Sequence, residues 1–202
     1  MNSRIKDIIE KEAEAVSKIP LSAEFENAVE LIFHHVHDLK GKLIISGMGK
    51  VGQIAENIAT TFCSTGTPAI FLHPSDAQHG DLGILQENDI LLVISNSGKT
   101  REIVELIDLA KVLIPSIPVI AITGNSNPSF LGKLSSIILT GNPGEVCPLD
   151  LTPTTSTTVM TVIGDILVVL MMEKIGFTAG EYAKRHHNGY LGAKSREAGK
   201  RL

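Results

Sequence analysis

The sequence predicts an α/β fold, a three-layer sandwich in which a five-stranded parallel sheet is covered by helices on both faces. Two observations lead there. Five short apolar runs, at 43–46, 69–72, 90–95, 118–123 and 136–140, are each closed by glycine or polar residues. Their near-continuous apolar character is what strands buried on both faces require. Segments of helical period separate several of them, and alternating β and α units imply right-handed crossovers into a doubly wound sheet. With 202 residues, 43% of them hydrophobic and 20% charged, the chain supplies one ordinary domain spanning 1–202.

Taken in order, residues 3–19 place Ile5, Ile8, Ile9, Val16 and Ile19 at helical spacing. Residues 22–39 repeat the pattern with Phe25, Ala28, Val29, Ile32, Val36 and Leu39, so two amphipathic helices in the first 40 residues pack on the sheet domain. After the first strand, Val51, Ile54, Ala55, Ile58, Ala59 and Phe62 form an unbroken helical stripe. Ile103, Leu106, Ile107, Ala110 and Leu113 do the same between the third and fourth strands. A last long helix over 154–175 begins after Pro153, with Thr154, Thr155 and Ser156 as first-turn and capping residues.

Several function classes are disfavoured by composition. The net charge of −4 lacks the basic excess of nucleic-acid binders. The most apolar run, 159–172, contains Gly164 and Asp165 and falls short of the roughly 20 residues a bilayer needs, so it reads as a core helix and no membrane is expected. The first residues alternate charge with isolated isoleucines, unlike an export signal. Cys63 and Cys147 are distant in a chain that needs no disulfide, which fits the reducing cytoplasm.

Ligands of such sheets bind outside the carboxyl ends of the strands. After the first strand, Ser46-Gly47-Met48-Gly49-Lys50-Val51-Gly52 matches a dinucleotide fingerprint in form. The next strand, however, ends in Leu72-His73-Pro74, with no acidic residue for a ribose. A P-loop also fails, because no glycine stands five residues before Gly49. What remains is a tight turn carrying a cation, Lys50. After the third strand, Ser95-Asn96-Ser97-Gly98-Lys99-Thr100 precedes a helix bearing Glu102. Hydroxyls around a glycine at a helix N-terminus make a phosphate cradle, whereas a plain cap would explain only one of them. His73, His79 and Asp81 on the loop after the second strand are competent metal ligands, but their spacing matches no tight zinc motif. His34, His35 and His37 read as a solvated helix end. Glu145, before Cys147-Pro148, adds a carboxylate, and His186 adds an imidazole near the C-terminus.

Together the turn at Ser46–Lys50, the block from His73 to Gly83, Ser95-Asn96-Ser97-Gly98, and Cys147-Pro148 through Thr158 resemble the arabinose 5-phosphate isomerases of the SIS-domain type. The likeness spans roughly residues 40–193. It implies a flavodoxin-like SIS domain and the interconversion of D-arabinose 5-phosphate and D-ribulose 5-phosphate, feeding Kdo synthesis for lipopolysaccharide or capsule. Its functional set falls on Lys50, Glu102, Glu145 and His186. The substrate contacts it implies are Ser46, Gly47, Gly49, Gly66, Thr67, His73, His79, Ser95, Asn96, Ser97 and Thr100, and its one metal is an inhibitory zinc at His73. It implies no cofactor, a homodimer or homotetramer with His186 entering a neighbour's site, and CMP-Kdo as a feedback ligand. Two departures stand out. The family's Ser-His-Pro reads Arg185-His186-His187, and the CBS pair of many members has no counterpart before Leu202.

Moving a proton between carbon 1 and carbon 2 of a sugar phosphate through a cis-enediol needs a base, an acid and help for a developing oxyanion. Glu102 or Glu145 can shuttle the proton, His186 can assist ring opening or oxygen protonation, and Lys50 can stabilise negative charge. Two alternatives compete: an isomerase of the same fold acting on a hexulose or heptulose phosphate, and a non-catalytic sugar-phosphate sensor. The sensor would need a DNA-binding head, and the first 40 residues offer no basic recognition face.

Overall fold

The computed structural model describes residues 1–128 and 130–199. The chain opens with α1 (Asn2–Ser17) and α2 (Glu24–Ile32), the latter running into a π-helical turn over Phe33–Asp38. The sheet follows as β1 (Leu43–Gly47), β2 (Ala69–Phe71), β3 (Ile90–Ile94), β4 (Val119–Thr123) and β5 (Ser136–Leu139). All neighbours are parallel, in the order β2-β1-β3-β4-β5. The connecting helices are α3 (Lys50–Ser64) after β1, the short α4 (Pro74–Ala77) after β2, and α5 (Arg101–Leu113) after β3. Beyond the sheet come α6 (Thr155–Lys174), α7 (Ala179–Arg185) and α8 (Gly189–Gly199). All five expected strands form, each within a residue or two of its sequence limits. The helical reading of the sequence did not reach α7 and α8, which bury little and carry no long apolar stripe.

Side-chain alternation divides the core in two. On β3, Ile90, Leu92 and Ile94 point into a cluster with α2, α3 and α6, while Leu91 and Val93 point into another with α5. Both faces of the central strands are thus dry, which explains why their sequences read as unbroken apolar runs. α6 is long and apolar enough to cross a membrane, yet half of its apolar window is buried inside the fold. Its Gly164 lies so close to α3 that a Cβ there would sit 2.4 Å from Ile58.

The strand order reverses direction between β1 and β3, which opens a crevice at the carboxyl edge of the sheet, where ligands of doubly wound folds bind. The amino edge is closed by polar clamps. Asp89, with no solvent exposure, accepts from the Lys42 ammonium at 2.6 Å, the Lys42 N–H and the Gln86 N–H, tying β1 to β3. At the far edge, Glu24 of α2 accepts from Ser136 Oγ and the Ile137 N–H, covering an otherwise open strand.

Candidate active site

A cavity of about 730 Å³ lies at the carboxyl edge, over the β1/β3 crevice. Met48 and Val51 line it from the turn after β1, and 95–97, 99 and 100 from the loop after β3. Gly124, Asn125 and Ser126 enter after β4, and Asn142 after β5.

The loop after β3 is shaped by its own hydroxyls. Ser95 Oγ and Thr100 Oγ1 are 2.9 Å apart, and Ser97 Oγ accepts from the Lys99 N–H at 3.1 Å. Asn125 braces the loop by donating its amide to Ser97 O at 2.8 Å, and the Gly124 N–H donates to Asn96 O. Among the described residues no side chain caps α5; the Ile103 N–H turns back to Thr100 O at 3.1 Å, which leaves the N–H groups of Arg101 and Glu102 to meet an anion. Oδ1 of Asn96 is shielded from solvent and has no hydrogen-bond partner among the described residues. Of the expected contacts, Ser95, Asn96, Ser97 and Thr100 therefore share one cavity. Lys99, Gly124, Asn125, Ser126 and Asn142 were not singled out from sequence. The placement of 124–126 and 142 directly behind strands is the signal that marks them.

The turn after β1 is close-packed. A Cβ on Gly47 would meet Val51 O at 2.8 Å, and one on Gly52 would meet Gly47 O at 2.8 Å. Gly49 takes φ 62°, ψ −128°, a conformation open to glycine alone. Ser46 is buried and spends its hydroxyl on Leu72 O at 2.7 Å, joining β1 to the end of β2. Lys50 is the first residue of α3, exposed between the lining residues Met48 and Val51, and has no ion pair among the described residues.

Two carboxylates stand on different footings. Glu102, in the first turn of α5, is half-buried and makes no hydrogen bond among the described residues, and its neighbour Arg101 is held by Glu105 at 2.6 Å. Glu145 is fully engaged at the N-terminus of α6, accepting from the Thr154 N–H at 2.7 Å, Thr154 Oγ1, the Ser156 N–H and Ser156 Oγ. Burial pushes its carboxyl up, but those donors outweigh it and hold the pKa below its ordinary value. α1 reaches the same loop, with Arg4 donating to Val146 O and Glu12 accepting from Thr155 Oγ1.

The remaining expected residues lie elsewhere. His73 follows β2 in a separate hollow with Asp76 and Asp81, its Nδ1 3.7 Å from Asp76, and His79 is exposed beyond it. No group of three His, Cys, Asp or Glu residues suited to a metal forms among the described residues. Gly66 and Thr67 precede β2 and so sit at the amino edge. Thr67 Oγ1 is 3.1 Å from His37 Nε2, and a Cβ on Gly66 would touch the Phe177 ring. His37, expected in solvent, is thus half-buried against that hydroxyl, and His35 Nδ1 meets Asn88 O at 3.1 Å. From Phe177, ring contacts lead through Tyr182 to His186, stacked on Tyr182 at 3.7 Å with Nδ1 3.0 Å from Tyr182 O. Among the described residues, no hydrogen bond or ring contact joins His186 to the residues lining the cavity.

Comparison with known proteins places this architecture. A solved Bacteroides fragilis protein, described as a candidate phosphosugar isomerase involved in capsule formation, is 62% identical, with a TM-score of 0.92 over 94% of this chain and 99% of that one. The c3406 protein of E. coli CFT073, solved in complex with arabinose 5-phosphate, is 33% identical, with a TM-score of 0.82 over 90% of this chain and 95% of its own. The arabinose 5-phosphate isomerase KdsD of Francisella tularensis is 43% identical over 200 residues, 96% of this chain and 60% of that protein. The chain thus spans less than two thirds of that curated relative. The SIS domain model matches residues 37–170, more than half of the sequence, and with it the parallel sheet and its carboxyl-edge cavity: the chain belongs to the SIS domain family.

Proposed function

We infer that this chain is an arabinose 5-phosphate isomerase, converting D-arabinose 5-phosphate to D-ribulose 5-phosphate in the cytoplasm as one SIS unit over 1–202. The observation that carries this reading is the hydroxyl-lined loop of Ser95, Ser97 and Thr100 at the uncapped N-terminus of α5, inside the cavity at the β1/β3 crevice. An E. coli relative of the same fold holds arabinose 5-phosphate, and a curated relative bears the isomerase name.

The phosphate binds the loop, where open N–H groups and hydroxyls meet its oxygens. With the sugar chain opened, a base takes the proton from carbon 2 and the electron pair runs onto the carbonyl oxygen O1, giving the cis-enediolate; the O2–H proton passes to O1 as the carbonyl forms at carbon 2, and the base returns its proton at carbon 1. Glu102 is the better candidate for that base, since among the described residues no donor engages its carboxylate, whereas four engage that of Glu145. Glu145 has its lone pairs filled and its basicity lowered, which suits a fixed negative group that orders the rim. Lys50 offers a charge for the developing oxyanion. His186, with Gly66 and Thr67, serves the reaction from a second copy in a homo-oligomer, a reading supported by Gly66 and Thr67 preceding β2 while the cavity is lined by residues that follow strands.

Incubation with arabinose 5-phosphate and assay of ribulose 5-phosphate tests the reading. Turnover is expected. Inactivity there, with turnover on a hexulose or heptulose phosphate, would move the substrate and leave the site in place.

A further inference from the structure

Among the described residues that line the carboxyl-edge cavity, Lys99 is the one with an ionisable side chain; the rest are hydroxyl, carboxamide, glycine or apolar residues. Lys99 is exposed and has no counterion among the described residues, while Arg101 close by is neutralised by Glu105. An anion placed on the loop meets a charge shortfall. A phosphate monoester carries about −1.5 to −2 at neutral pH, and a helix N-terminus offers the equivalent of roughly +0.5. Hydroxyls orient the group without adding charge, so about 1 to 1.5 negative charges stay unmatched. One ammonium beside the α5 N-terminus closes most of that gap.

We propose that Lys99 is a binding residue for the substrate phosphate and supplies the positive charge that the cradle lacks, while Lys50 serves the reacting end of the sugar. The assignment rests on the cavity being the isomerase site. It gives two lysines separate tasks: Lys99 is on the loop that turns into α5, and Lys50 is on the turn that starts α3. Loss of Lys99 therefore weakens binding of every species that bears the phosphate, in the ground state and the transition state alike, and the loss falls on KM rather than on kcat.

The experiment uses the full chain with Lys99→Met, which keeps an apolar stem, Lys99→Arg, and Ser97→Ala as a test of the cradle itself. KM for arabinose 5-phosphate and the inhibition constant of inorganic phosphate are measured at low and high salt, with Tm for each variant. The Lys99 side chain makes no hydrogen bond among the described residues, so Tm is expected to stay at the wild-type value. Lys99→Met should raise both constants about tenfold, Lys99→Arg should recover most of the loss, and the salt dependence of KM should shrink in Lys99→Met. Unchanged constants in Lys99→Met while Ser97→Ala raises them would overturn the Lys99 assignment and leave the cradle standing. Neither variant moving the phosphate constant would overturn the cradle and the isomerase reading of this cavity with it. A fall in kcat at constant KM in Lys99→Met would place the lysine at the reacting end and also defeat the proposal.

Discussion

Glu145 shows how a single residue's surroundings set its chemistry. Its carboxylate takes two backbone N–H groups and two hydroxyls at the start of α6, where the helix macrodipole also favours an anion. Unfolded, a glutamate titrates near about 4.3; folded, this one titrates lower. The stability it contributes is therefore fully present above about pH 4.3 and is lost as pH falls through the folded pKa. Glu145→Gln should have a lower Tm than wild type at pH 7, and the gap should close in acid. A gap that persists unchanged below the folded pKa would mean that the anion is not what holds the helix start. Glu102 makes the contrasting case. Positioned acid–base groups contribute about 10²–10⁴-fold, so Glu102→Ala should lower kcat by at least 10²-fold. Near-wild-type turnover would remove it as the base. Both glutamates were legible as candidates from their places after strands, but which one is free to accept a proton was not, because that depends on Thr154 and Ser156 folding back onto Glu145.

Between elements, α6 and α3 meet at one close contact. Gly164 faces Ile58, which is 1% exposed and has no open space to swing into. Gly164→Ala gains roughly 1 kcal/mol of helix propensity, whereas forcing a methyl into a packed core typically costs about 1–3 kcal/mol. The core term should win, and thermal unfolding should show a lower Tm for Gly164→Ala. A raised Tm would mean that the two helices part without cost. Sequence marked α3 by its unbroken stripe and α6 by its apolar length, since both patterns are local. It held no hint that residue 164 is a contact point, because that depends on which turn of α6 crosses which turn of α3. It also missed the π-helical turn at Phe33–Asp38, where His37 folds in to Thr67 instead of ending in solvent.

For the whole molecule the central fact is a division of the expected functional residues between two edges of one sheet. Ser95, Asn96, Ser97 and Thr100 lie at the carboxyl edge, with Lys50 and Glu102 in the adjoining first turns. Gly66, Thr67 and the Phe177–Tyr182–His186 ring series belong to the other end of β2. If His186 acts in a second copy's cavity, Glu102→Ala and His186→Ala chains are each inactive alone, and hybrids made by co-refolding regain a fraction of wild-type activity through sites that receive both intact residues. No recovery in verified hybrids would confine the site to one subunit. Residue order was enough for the layer architecture, the five strands and the cradle after β3, because hydrophobic period and helix-start chemistry are properties of neighbouring residues. Which of the remaining residues meet was settled by packing in three dimensions. Packing closed Glu145 onto α6, spent the Ser46 hydroxyl inside the fold, left Lys99 as the one charge among the lining residues of the cavity, and set His186 apart from it, since these outcomes turn on distances between segments far apart in the chain.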